Sequence, residues 1–175
     1  MAVKNTVAII GATTTTGAFI AKGISNGPYR LLLMDCAIDA LDALQSDITS
    51  VNADVEIDAV QCCKDASWEA DIIVVAVAAD ELEDTARKMQ EVATCKTVIS
   101  ITAAENAPGN LQKLLPYSRV INVAVAGNIL FDKDISLFIE GNSEEAINTA
   151  VEMIKIIDLP YNVNKKEHEH ENEKK

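Results

Sequence analysis

The chain has 175 residues, 49% hydrophobic and 24% charged, the balance of one globular domain with a sizeable core. Its net charge of −12 excludes nucleic acid and anionic membrane surfaces as partners, because both are bound through Lys and Arg; a single phosphate held by backbone N–H groups stays open. No apolar run is long enough to span a bilayer. The start MAVKNTVAII enters a strand-like run without the regions of a signal peptide, so a cytoplasmic protein is expected.

In chain order, NTVAII predicts a first strand. Gly17 to Ser25 predicts a helix stopped by Asn26, Gly27 and Pro28. YRLLLMD is a second strand, and Asp39 to Ile48 an amphipathic helix with Leu41, Leu44 and Ile48 on one face. DVEIDAV alternates, which suits a third strand near an edge. Asp65 is expected to cap a short helix through Glu69. DIIVVAVAA is continuous and β-branched, as in the interior of a parallel sheet. Glu81 to Ala93 is a helix, KTVISITAA a fifth strand, and Asn110 to Leu115 a short helix ended by Pro116. RVINVAVAG and ISLFIEG are the sixth and seventh strands. Asn142 followed by Glu145 resembles a capping box for a helix to Ile157, and PYNVN is a last strand.

Such alternation predicts an α/β fold: a doubly wound, mostly parallel sheet with helices on both faces, in a single domain over residues 1–164. Residues 165–175, KKEHEHENEKK, form a charged segment expected to be disordered. The two histidines there read as part of a solvated tail, and no metal site is expected. The four cysteines include no C-x-x-C pair and are expected to be reduced thiols in or near the core. Trp68 and the run Leu111, Leu114 and Leu115 are expected to pack.

The stretch VAIIGATTTTGAFIAKG carries the chemistry. A strand, a glycine turn and a helix make a mononucleotide-binding unit, in which a pyrophosphate meets the unpaired N–H groups and positive end of the helix. Gly11 and Gly17 occupy the outer glycine positions of a G-x-x-G-x-x-G spacing, and Thr14 stands where a middle glycine would. Its bulk narrows the approach of a pyrophosphate, and a β-branched residue is unsuited to a positive φ. Thr13, Thr14, Thr15 and Thr16 nevertheless offer hydroxyls to phosphate oxygens. No G-K-[ST] follows, which excludes a P-loop. Asp35 ends the second strand 24 residues after Gly11, where a carboxylate can accept the hydroxyls of an adenosine ribose. It opposes a 2′-phosphate, and Arg30 is the only basic residue nearby in sequence, so NAD is expected over NADP.

From these segments onward the sequence resembles the Rossmann-like NAD(P)-binding domain of the deazaflavin-dependent NADP reductases and pyrroline-5-carboxylate reductases. ADIIVVAVAADELEDTARKM, TVISITAA, LQKLLPYSRVINVAVAG and LFIEGNSEEAINTAVEMIKIIDLPYNV carry the resemblance, over roughly residues 5 to 164. It implies a dinucleotide across the strand ends, with Gly11 to Gly17 at the pyrophosphate and Asp35 at the adenine ribose. Val77, Ala78 and Ala79 would flank the adenine and nicotinamide, Ser100 and Thr102 to Ala104 would lie near the nicotinamide, and Asn122 to Gly127 would line the acceptor side. The sequence departs from both families at the missing middle glycine, at Ala79 and Asp80, at the AVA of RVINVAVAG, and at Asp35. The helical dimerisation domain of the pyrroline-5-carboxylate reductases has no counterpart here, so a partner subunit or a homodimer is expected to supply that wall.

The expected function is a NAD(P)-dependent oxidoreductase, or its nucleotide-binding subunit, moving a hydride between nicotinamide and a small acceptor. Hydride transfer needs little beyond close, aligned and dry reactants, so no catalytic residue is assigned. The alternative is a nucleotide-sensing or protein-interaction module without catalysis; a scaffold whose threonines only cap a helix is the third. The body holds no histidine, which excludes a Ser-His-Asp triad. Lys64 and Asn106 read as solvated loop residues.

Overall fold

Runs of β-branched and apolar residues alternate with helical periods, and each run becomes a strand of one sheet. The computed structural model describes residues 4–103, 111–127 and 135–165. In chain order the elements are β1 (Asn5–Ile10), α1 (Thr15–Ile24), β2 (Tyr29–Met34), α2 (Ile38–Val51), β3 (Glu56–Val60), α3 (Cys63–Glu69) and β4 (Ile72–Val75). They continue with α4 (Leu82–Met89), β5 (Thr97–Ala103), α5 (Leu111–Leu114), β6 (Arg119–Ala126), β7 (Ser136–Gly141), α6 (Glu144–Ile157) and β8 (Tyr161–Lys165). The strand order is β3-β2-β1-β4-β5-β6-β7-β8. All neighbours are parallel except β6 and β7, which pair antiparallel from Ile121 opposite Gly141 to Ala126 opposite Ser136. The alternating strand β3 lies at an edge, as its pattern predicts, and β4 is buried along its whole length.

Successive side chains of a strand point to opposite faces, and the core accordingly has two halves. Val7, Ile9, Leu31 and Leu33 pack with Ile20 and Ile24 of α1, Leu41, Leu44 and Ile48 of α2, and Met153 and Ile154 of α6. Ala8, Ile10, Leu32 and Met34 pack on the other face with Ala66 of α3, Leu82 and Met89 of α4, and Leu111 of α5. Each large side chain buried in this way stabilises the fold by about 1.5–3 kcal/mol.

Local chemistry moves several boundaries from their predicted places. Helix α1 starts at Thr15, because Thr14 is its N-cap and accepts from the Gly17 N–H. Helix α6 is capped by Ser143, whose Oγ accepts from the Ala146 N–H at 3.3 Å, so Asn142 is not the cap. Helix α3 follows Cys62, and Asp65 sits inside its first turn, where its charge suits the positive helix end. Trp68 does not pack: it is 71% exposed, at the end of a helix whose inner face is made by Cys63, Ala66 and Ser67. All four cysteines are free thiols, as expected, but only Cys63 is buried; Cys36, Cys62 and Cys95 are exposed rather than in the core. Leu111 and Leu115 are buried as expected, with Leu114 partly so. Ala104, Asn106, Asn110 and the charged tail from Lys166 lie outside the described residues.

Candidate functional site

The chain leaves β1 for β2 and β3 on one side, then returns to place β4, β5 and β6 on the other. The carboxyl ends of β1 and β4 therefore diverge into a crevice, the usual ligand position in an open parallel sheet. A cleft of about 570 Å³ lies there, lined by Gly11, Thr13, Thr14, Asp35 and Val77 among others.

Two glycines let the turn after β1 close. Gly11 has φ +81°, and a Cβ there would stand 2.8 Å from Ala76 O. Gly17 faces back onto the turn, where a Cβ would stand 2.1 Å from Gly11 O. The positive φ falls on Gly11, whereas Thr14 is extended at φ −64°, ψ 157°, so the β-branched residue is under no conformational strain. The Thr14 hydroxyl does not face a phosphate position as the sequence suggests. It lies 2.8 Å from Gly11 O and 2.9 Å from Ala76 O, and it accepts from the Gly17 N–H at 3.0 Å. This one hydroxyl caps α1 and ties the β1 turn to the end of β4.

The backbone donors of the turn can be followed one by one. Gly11 and Ala12 donate to Met34 O, Thr14 donates to Gly11 O, and Ala18 donates to Thr14 O. Thr13 donates to Asp35 Oδ2 at 3.0 Å. Thr15 and Thr16 open α1, and first-turn amides have no acceptor inside their own helix. Those two N–H groups, at the positive end of the helix, are the donors that a phosphate can take. The Thr15 side chain itself lines a separate groove with Phe19, Lys22 and Ile157.

Asp35 does more than wait for a ligand. Its Oδ1 accepts from the Cys36 N–H at 2.7 Å and the Ala37 N–H at 3.3 Å, alongside the Thr13 bond to Oδ2. Burial pushes its pKa up, but the bonds from Thr13, Ala37 and Cys36 outweigh this and hold the carboxyl below its usual value. A carboxylate has about four lone-pair sites; three are met by amides and the Thr13 hydroxyl bears on the carboxylate as well, so a ribose hydroxyl would bind there in place of the threonine hydroxyl rather than of an amide.

Several lining residues were not legible as site residues: Met34, Cys36, Cys63, Asp80, Glu81, Asp84, Thr85 and Lys88. Four carboxylates, those of Asp35, Asp80, Glu81 and Asp84, meet a single cation, Lys88, among the lining residues. Lys88 Nζ is 2.6 Å from Asp84 Oδ2, one helical turn earlier, and this hydrogen bond raises its pKa. Burial raises the pKa of Cys63. Arg30, the basic residue noted in the sequence, is remote: it bridges Asp58 at 2.7 Å and Glu69 at 2.5 Å near the start of β2. Ala78 and Ala79 are exposed in the turn after β4 and are not among the lining residues. Thr102 is also outside the lining, half-buried near the end of β5 opposite Ala124 of β6. Lys64 pairs with Glu91 at the surface. Among the described residues no group of three or more His, Cys, Asp or Glu is placed to hold a metal, and no helix is long and apolar enough to cross a membrane.

The strand order, the glycine turn into α1 and the acid at the end of β2 define a Rossmann-type fold. The family model described as NADP oxidoreductase, coenzyme F420-dependent, matches residues 6–104, and the chain belongs to that family of nicotinamide-dinucleotide oxidoreductases. No curated protein matches the chain by sequence. Among solved structures, a Plasmodium falciparum pyrroline carboxylate reductase with NADP bound is 15% identical with TM-score 0.69, over 91% of this chain and 57% of that one. A Mycobacterium tuberculosis 3-hydroxyisobutyrate dehydrogenase is 11% identical with TM-score 0.72, over 93% of this chain and 55% of that one. The N-terminal domain of HmdIII from Methanocaldococcus jannaschii is 14% identical with TM-score 0.69, over 93% of this chain and 100% of that domain. The chain thus spans little more than half the length of the first two. At these identities the likeness is one of fold.

Proposed function

We propose that the protein binds a nicotinamide adenine dinucleotide across the ends of β1, β2 and β4 and takes part in hydride transfer to a small acceptor. The observation that carries this reading is the pair of open N–H groups, Thr15 and Thr16, at the start of α1, beside a carboxylate held in place by three backbone amides. The amides hold the pyrophosphate, and Asp35 takes a ribose hydroxyl in place of the Thr13 hydroxyl that it otherwise accepts from. Val77, Ala78 and Ala79 flank the bound cofactor, and Thr102 marks the nicotinamide end. When bound, the dinucleotide supplies the hydride; the protein orients it and excludes water.

The excess of carboxylates in the cleft favours NAD(H) over NADP(H), since each opposes a further phosphate. Calorimetric titration with NAD, NADH, NADP and NADPH tests the reading. Binding of NADH that weakens about tenfold in Asp35→Ala supports it, the size expected when a charged acceptor is lost. Binding of none of the four overturns it. A non-catalytic nucleotide sensor is the second reading. It is favoured by the concentration of polar groups beside Asp35 while Thr102 lies outside the cleft lining. Turnover with a supplied acceptor separates the two.

The cysteines report on the same site. Cys36 is exposed and lines the cleft, whereas Cys95 is exposed before β5, at the other end of the sheet. Saturating NADH is expected to slow alkylation of Cys36 and leave Cys95 unchanged, as read by mass spectrometry. Equal protection of both, or of neither, argues against occupancy of this cleft. Free thiols suit a reducing compartment such as the cytoplasm. Phe138 of β7, a large apolar side chain 38% exposed, suits a homodimer contact.

A further inference from the structure

We propose that Lys88 is a specificity-determining residue of this cleft, placed to meet a phosphate on the 2′-oxygen of the adenosine ribose, so that the site accepts NADP(H) as well as NAD(H). The inference rests on the dinucleotide reading above. A 2′-phosphate carries nearly two negative charges at neutral pH and needs a cation beside the ribose. The turn after β2 brings none: Asp35 is followed by Cys36, Ala37, Ile38 and Asp39. Lys88, from α4, is the one cation among the described residues that line the cleft. It lines the same space as Cys36, the residue next to Asp35, and as Cys63.

The hold of Asp84 on Lys88 does not remove it from use. An ammonium has three N–H donors, and the 2.6 Å bond to Asp84 takes one. The two side chains are 58% and 70% exposed, a setting in which an ion pair is weak and its partners are free to move. A phosphate dianion competes well for such a lysine, which binds phosphate as a point charge. Asp35, whose charge is shared among three amides, opposes the phosphate less than a free carboxylate would. Asp80, Glu81 and Asp84 still oppose it, so NADP(H) is the weaker of the two ligands.

Calorimetry on the full chain tests this with NADH and NADPH as ligands and Lys88→Gln and Asp84→Asn as variants. Wild type is expected to bind both, NADH more tightly. Lys88→Gln should lower the NADPH-to-NADH affinity ratio about tenfold, the effect of one charge-assisted contact. Asp84→Asn should raise that ratio severalfold by freeing the ammonium and removing a repelling charge. An unchanged ratio in Lys88→Gln overturns the proposal, as does a wild type that binds NADH and not NADPH. Failure of every dinucleotide to bind overturns the underlying reading instead. Matching circular-dichroism melts show that the variants are folded, and the opposite signs expected for the two substitutions separate a phosphate contact from a general loss of structure.

Discussion

Gly17→Ala is expected to destabilise the protein by about 3 kcal/mol, the upper part of the range for overpacking, and to lower its melting temperature by roughly 10 °C. In an open helix this substitution is favourable by up to about 1 kcal/mol, because alanine is the better helix former. Here the new methyl would stand 2.1 Å from Gly11 O and 3.0 Å from Ala12 Cα. Both are backbone atoms, so no side-chain rotation relieves the clash. Displacing Gly11 O also displaces Thr14, whose N–H and hydroxyl both bond to that oxygen. The amides of Thr15 and Thr16 then lose their aim, and dinucleotide binding should vanish together with the stability. Gly23→Ala is the contrasting case: its methyl meets Ile157 Cγ1 at 2.8 Å, a side chain that can yield. Thermal melts of the two variants, with NADH titrations, check the prediction. A Gly17→Ala protein that melts and binds like wild type would show that the turn is looser than this geometry.

Thr14→Val is the second large effect, at about 2 kcal/mol. The shape is kept and the hydroxyl removed. Loss of an N-cap acceptor costs about 1 kcal/mol, and Ala76 O, left without the hydroxyl donor, adds a comparable amount, whereas Gly11 O keeps the Thr14 N–H. The Gly17 N–H, Gly11 O and Ala76 O all lose this partner. Thr14→Ser keeps all three contacts and should stay close to wild type. Urea denaturation reads the difference as a lower midpoint with an unchanged slope. The same pair of variants separates two roles for the hydroxyl. If it holds the turn, Thr14→Val weakens NADH binding and stability together. If it donates to phosphate, binding falls while the midpoint stays.

How far the sequence carries is clear from these residues. Strands β1, β2, β4 and β5 are long β-branched or apolar runs, and a chain pattern of that kind has one economical solution, a covered parallel sheet. The glycine turn and Asp35 were legible because their spacing is local. The start of α1 was not, because Thr15 and Thr16 are poor helix formers and their place in the first turn depends on the Thr14 cap. Nor were Asp84 and Lys88. On their own helix they form an (i, i+4) pair of the kind found on any solvated face. Only the register of β4 beside β1, and of β1 beside β2, brings that face to the rim of the cleft. The exposed Trp68 shows the same limit: an aromatic side chain does not say which side of a short helix the sheet will take.

The reversal at β7 has a practical outcome. Strands β1 to β6 run toward the cleft, while β7 and β8 run away from it. Asn5 at the start of β1 and Lys165 at the end of β8 therefore emerge at the opposite pole of the sheet, a strand's length of roughly 20 Å from the cleft mouth. A protein tethered to a sensor surface or an electrode through either pole-side segment would hold its cleft toward the solution.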